Sequence, residues 1–254
     1  SDSIMSQHLN YASGNPALSS ETFSAEAYKM DANPQVMTLN GAVDKTILCL
    51  SLLFSFGIAG FKFHESLQGF LIPGVIAGLI VALITVFKKE HAPITAPLYA
   101  GIEGILLGII SASFEQIFDG IVFQAIGLTI GIFFTLLLLY KTRVIKASEN
   151  FKLGIAAATG GVFLLYAVNF IMSFFGSGIA VLDPMNSSLM SIGISLVIVV
   201  IASLNLVVDF DFIEEGAEQG VPKYMEWYAA FGLMVTLIWL YLEILKLLAK
   251  TRSR

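Results

Sequence analysis

Seven runs of mostly apolar residues limit what this chain can become, each close to the roughly 20 residues a helix needs to cross the hydrocarbon of a bilayer. They cover about residues 46–63, 70–87, 94–114, 121–140, 153–175, 187–208 and 228–248. Strands of a transmembrane barrel would alternate in units of about ten residues, and these runs do not. A soluble domain is typically about 45–50% apolar and about 25% charged, whereas this chain is 56% hydrophobic and 13% charged. The expectation is an all-α polytopic membrane protein, a seven-transmembrane-helix bundle whose partner along most of its surface is the lipid bilayer.

The rest of the chain is organised around those runs. Residues 1–37 are rich in Ser, Ala, Asn and Pro without a sustained apolar period, which predicts a mobile N-terminal tail. Residues 38–250 form the membrane domain, and residues 251–254 a short basic C-terminal tail. No basic stretch followed by an apolar one opens the chain, so no signal peptide is expected. The segments "FKFHESLQG", "KKEHAP" and "YKTRVIKASENFK" separate spans one and two, two and three, and four and five. Gly74 with Gly78, Gly104 with Gly108, and Gly127 with Gly131 are small pairs that allow close helix approach, since packing drives association in lipid.

Orientation follows the positive charges. Lys88, Lys89, Lys141, Arg143, Lys146 and Lys152 mark alternate loops, while those holding Asp119 and Asp183 have no Lys or Arg. That pattern predicts a cytoplasmic N-terminus. Seven crossings then put the C-terminus outside, against the preference of Lys246, Lys250, Arg252 and Arg254. A re-entrant segment would relieve the conflict; seven crossings are the favoured reading.

Composition also excludes. The net charge is −5 and the cations are scattered, so no nucleic-acid surface is expected. Cys49 is the single cysteine, which rules out a disulfide framework and a cysteine metal centre. His8, His64 and His91 lie in the tail or at span edges, and no HExxH, Walker A or dinucleotide motif occurs. Neither an enzyme nor a resident cofactor is expected.

What demands an explanation is acid inside the membrane, which costs on the order of 3 kcal/mol per residue even on the lenient insertion scale. Glu103 lies in "YAGIEGILLGII", Asp209 closes the sixth run in "LNLVVDFDFIEEG", and Glu243 lies in "TLIWLYLEILKLL". Each has a plain reading. Glu103 could join two helices by a hydrogen bond, Asp209 could be the wet end of its span, and Glu243 could pair with Lys246 at (i, i+3). Asp211, Glu214, Glu215 and Glu218 read as a solvated loop without EF-hand ligand order. The sharper reading sets Asp209 against Glu243 across spans six and seven. Two carboxylates in a low dielectric tend to share a proton, which makes a pH-dependent latch. The two are 34 residues apart, so they meet only if span six continues past Asp209 and the connection carries an insertion.

At these residues the sequence resembles the Bax inhibitor-1 family, in its bacterial inner-membrane branch. "LYLEILKLL" is similar to the family's last-span "LYLDxINLF", "VVDFDFI" to its sixth-span "YDxxxI", and "IEGILLG" to its third-span "EGxxxG". "MTLNGAVDKT" resembles the lead-in to the first span, and the likeness covers about residues 37–249. The resemblance implies a seven-helix fold with the last helix central. It also implies a di-aspartyl pH sensor controlling a calcium-permeable leak, with Asp209 and Glu243 as sensor residues and Glu103 as a supporting acid. Two departures stand out. Glu243 replaces the usual Asp, and the connection between the motif acids is about ten residues longer.

Three functions compete. The first is a pH-sensitive cation leak, for calcium above all, in which Asp209 and Glu243 give a weak transit site, since Ca²⁺ takes 6–8 oxygen ligands. The second is a non-conducting regulator of a membrane protease such as FtsH, or of a stress complex, acting through the tail. The third, an intramembrane aspartyl protease, lacks a Gly-rich motif beside either acid. A proton-coupled transporter is a further possibility, because intramembrane acids commonly relay protons.

Overall fold

A computed structural model of the chain describes residues 35–254. Seven long helices follow one another: α1 (Leu39–Lys62), α2 (Leu71–Phe87), α3 (Ala92–Ile117), α4 (Ile121–Lys141), α5 (Glu149–Phe174), α6 (Leu189–Gln219) and α7 (Met225–Arg252). A short helical turn, His64–Leu67, and a tighter one, Gln68–Phe70, lead into α2. All seven stretches are long and apolar enough to cross a membrane. No strand occurs among the described residues; one isolated bridge pairs Val36 with Pro222.

Helices begin where a side chain can satisfy the free N–H groups of the first turn. The hydroxyls of Thr38, Ser148 and Ser188 accept from the amides of Gly41, Phe151 and Ser191. α6 runs on through the acids and stops at Gly220, whose φ of 65° is the left-handed conformation that closes a helix. This corrects the reading of Asp211, Glu214, Glu215 and Glu218 as loop: all four are helical. Gly216 lies inside α6 and does not break it.

The last helix is central, as the resemblance implied. α7 packs on α6, α1, α3 and α4, while α5 packs chiefly on α6. Tyr228, Phe231, Met234, Leu240 and Leu245 of α7 are buried, whereas Phe87, Phe123 and Phe174 on the outer helices point outward. That inversion suits lipid, where the outer surface has no reason to be polar.

The glycine pairs divide. Gly104 and Gly108 bring α3 against the backbone of α1: a Cβ on Gly104 would lie 2.6 Å from the Leu53 carbonyl oxygen, and one on Gly108 2.5 Å from the Phe61 nitrogen. Gly74 and Gly78 accommodate Leu106 and Glu103 of α3 in the same way. Gly127 and Gly131 face no neighbour within 4 Å, so the packing expected of that pair is not formed.

The two ends of the described chain lie at opposite faces of the bundle. The Thr38 amide bonds Glu226 at the start of α7, and Arg252 at its other end bonds the Asp119 carbonyl oxygen between α3 and α4. The charges that seemed to pull the C-terminus inward are largely engaged. Lys246 pairs with Glu243, and the buried Lys250 ammonium donates to Ser195 Oγ at 2.7 Å and to the Val181 carbonyl at 2.9 Å. Cations satisfied within the bundle are not the free loop charges that orient a span.

Of the expected tail, residues 1–34 lie outside the described residues. Residues 35–37 are held against the α6–α7 connection: the Met37 amide donates to Val221 O at 2.8 Å and the Lys223 amide to Gln35 O at 3.0 Å. Of the four residues expected as a basic C-terminal tail, Thr251 and Arg252 belong to α7.

Candidate functional site: carboxylates along the central helix

Asp209 sits on α6 with no exposed surface. Its Oδ2 accepts from the Thr236 hydroxyl of α7 at 2.5 Å. The wet-end reading is therefore replaced by a fully enclosed carboxylate, and α6 continues past it to Gln219, the condition that the paired reading required.

The extension does not bring Asp209 to Glu243. Thr236 fixes the level at which Asp209 meets α7, and Glu243 lies seven residues beyond Thr236, about 10 Å along the axis. The connection turns at Gly220, only eleven residues after Asp209, whereas α7 runs eighteen residues from Met225 to Glu243. Glu243 has other partners instead. Its Oε1 accepts from Lys246 Nζ at 2.6 Å and from the Tyr166 hydroxyl of α5. The Trp239 indole N–H donates to the same Tyr166 oxygen at 3.3 Å, and the Lys246 ammonium lies 5.2 Å from the Tyr166 ring centroid. The (i, i+3) pair with Lys246 is present, with the Glu243 side chain buried.

Glu103 is half-buried and directed at α2, where a Cβ on Gly78 would come within 2.5 Å of its Oε1. Tyr99 packs on Phe231 with ring centroids 5.0 Å apart, and Ser111 bonds Tyr241 at 2.6 Å. Glu103 thus lies at a depth between Phe231 and Tyr241, near that of Thr236, but on the opposite flank of α3. The three sequence-predicted acids occupy three separate environments.

Two further acidic environments escaped the sequence reading. Glu226 is fully buried in the first turn of α7 and accepts from the Thr38 amide at 2.9 Å and from Lys223 Nζ at 2.8 Å. Its carboxylate fills the space over Gly41 of α1. Nearby, the almost completely buried Lys152 of α5 pairs with Asp211 and, at 3.7 Å, with Glu215. Tyr140 of α4 donates to Glu214 at 2.6 Å. The available signal was spacing: Asp211, Glu214, Glu215 and Glu218 recur at three and four residues, one helix face, so continuing the helix would have turned a charge run into a packed face.

Glu226→Gln is expected to loosen the join between α1 and α7, because a neutral amide loses the ion pair with Lys223 and the charge that strengthens the bond from the Thr38 amide. A charge-assisted bond contributes about 1.5–3 kcal/mol, and hydrogen exchange at the Met37 and Thr38 amides should speed up while that at the centre of α7 does not. Unchanged exchange at those amides would mean that the buried carboxylate does not hold this corner.

Among the described residues no three His, Cys, Asp or Glu side chains converge to hold a metal ion. Asp209 and Glu243 meet α7 about two turns apart and are not brought together at one site.

The family model described as "Bax inhibitor 1 like" matches residues 15–253. No curated protein and no solved structure matches the chain. The match covers the seven helices and every carboxylate described above, and the chain belongs to the Bax inhibitor 1 like family of membrane proteins.

Proposed function

We propose that this protein is a pH-sensitive cation leak of the bacterial inner membrane, with calcium as the transported ion and the N-terminus in the cytoplasm. The observation that supports it is the graded placement of buried carboxylates along the central helix. Glu226 lies at its start, Asp209 meets it at Thr236, and Glu243 follows two turns later. A buried acid responds to protons because its charged form is poorly solvated. Acids about 10–15 Å apart along one helix act as successive stations, not as a single two-carboxylate latch. In this reading Asp209, held by Thr236, and Glu243, held by Tyr166 and Lys246, are the sensor carboxylates, and Glu103 is a supporting acid on the far side of α3. Calcium is cargo here, held weakly at each station.

The test is calcium flux into proteoliposomes over a pH series, with wild type, Asp209→Asn, Glu243→Gln and the double variant. The expected result is a pH-dependent flux in wild type, with the dependence flattened by either substitution. Because the acids are stations and not a pair, each single variant should remove part of it and the double variant more than either. Flux that is absent, or that follows the same pH profile in the double variant, overturns the reading.

One observation supports the alternative, a non-conducting regulator of a membrane protease or stress complex. Residues 35–37 are bonded to the α6–α7 connection, so a protein pulling on the N-terminal segment would act directly on the central helix. Deleting residues 1–34 should abolish partner binding on that view and leave flux intact on the first.

A further inference from the structure

Helices α1 and α4 stand side by side around α7 without packing on each other over any extended length. Between them runs a groove of about 680 Å³, walled by α1 and α4 and floored by α3 and α7. On the α1 wall it extends from Ile47 to Phe61, fifteen residues that span about 21 Å of helix. Its other wall carries Ile130 and Phe134. Polar groups of the lining are satisfied locally: Ser111 and Tyr241 of the floor bond each other at 2.6 Å, and Thr129 of the α4 wall donates to the Ala125 carbonyl. The lining therefore asks for hydrocarbon and offers almost nothing to a polar ligand.

One end of the groove differs. Phe61, a wall residue, is followed directly by Lys62, whose side chain is exposed. Across the opening, Arg252 donates to the Asp119 carbonyl oxygen and to Gln124 Oε1, both at 2.6 Å, beside the wall residue Val122. Glu65, Glu115 and Asp119 lie at the same helix ends. Glu115 is occupied by the amides of Gly120 and Val122 at the start of α4, and Lys62 and Arg252 are the cations of this mouth.

From this geometry we infer that the groove is a binding site for one membrane phospholipid, its acyl chain lying between α1 and α4 and its phosphate between Lys62 and Arg252. Three features support that occupant over an unrelated apolar surface. The groove lies at span depth, where acyl chains are the ambient solvent. Its length exceeds the ~15 Å half-thickness of the hydrocarbon core, enough for one chain from one leaflet. Its cationic end lies at the helix termini, where a headgroup sits. The lipid chain touches Leu237 and Tyr241 of the central helix, within two turns of Glu243. The inference does not depend on conduction and stands or falls separately from the proposed leak.

The test is native mass spectrometry of the detergent-purified protein titrated with dioleoyl phosphatidylglycerol or with dioleoylglycerol, which has the same chains but no phosphate. Wild type should retain one phospholipid, at least about tenfold more tightly than dioleoylglycerol. Ile130→Trp, which narrows the groove from an exposed wall position, should weaken both lipids by a similar factor. Lys62→Gln with Arg252→Gln should erase the preference for the phospholipid while leaving dioleoylglycerol binding as in wild type. Size-exclusion profiles and melting temperatures matching wild type show that the variants are folded. Equal binding of the two lipids by wild type overturns the proposal, as does undiminished lipid retention by a folded Ile130→Trp. A protein helix cross-linked in native membranes to an Ile130→Cys variant also overturns it, by identifying a different occupant.

Discussion

Replacing Lys152 by methionine is expected to lower the unfolding free energy by about 3–5 kcal/mol, the range for removing one partner of a buried ion pair. Lys152 is 2% exposed, and the side chains it faces, Asp211 and Glu215, are 20% and 18% exposed. Without the ammonium, two carboxylates one turn apart on α6 remain largely out of water and repel each other. The Lys152 ammonium also lies 5.0 Å from the Phe212 ring centroid, so α5 is tied to α6 through both a charge pair and a cation–π contact. α5 packs chiefly on α6, and its other ties, Tyr166 to Glu243 and Trp239, and Thr159 to Asn205, lie farther along the helix from Lys152. Denaturant titration in detergent micelles, followed by circular dichroism, would measure the loss. Asp211→Asn added to Lys152→Met should restore more than half of it by removing the stranded charge. If Lys152→Met unfolds with wild type, the ammonium is solvated in the folded protein and the pair contributes nothing.

That cluster also marks where sequence reading stopped. Seven spans were legible because a bilayer demands about 20 apolar residues of every helix, and the runs in this chain are separated by charge, Gly or Pro. Asp209 and Glu243 were legible as acids with apolar neighbours. Their partners were not. Thr236 and Tyr166 are ordinary residues in apolar runs, and nothing in their local sequence says that a hydroxyl is aimed at a carboxylate on another helix. The hairpin was misjudged for a related reason. "EEGAEQG" contains two glycines, but only Gly220 takes a left-handed φ, while Gly216 continues the helix. A helix that outlasts its hydrophobic run carries Asp209 toward Glu243, but the turn at Gly220 comes eleven residues after Asp209 against eighteen from Met225 to Glu243, and that shortfall keeps the two apart. Lys152 was counted as a loop cation in the orientation argument, although burial and ion pairing remove it from that role.

Gly108→Val should disrupt assembly of the bundle more than its size suggests. A Cβ on Gly108 would approach the Phe61 nitrogen to 2.5 Å and the Gly60 carbonyl carbon to 2.8 Å. These are backbone atoms of α1, so no side-chain rotation can clear them; the helices themselves must separate. Overpacking typically costs about 1–3 kcal/mol, and a rigid opposing backbone places this case at the upper end or beyond. Loss of a close helix crossing matters more in lipid than in water, because packing is a main source of association there. The comparison that isolates this cause is Gly127→Val, the same change on α4 where nothing lies within 4 Å. It should leave stability nearly unchanged, with any helix-propensity effect below about 1 kcal/mol. Gly108→Val should instead reduce the yield of monodisperse protein and lower the unfolding midpoint in micelles. Equal behaviour of the two variants would mean that α1 and α3 do not approach this closely. The groove depends on the same crossing: α1 is held as its wall by α3 and α7, with no extended packing on α4, so spreading the α1–α3 crossing should also weaken phospholipid retention. Gly127→Val, on the outward face of α4, should not.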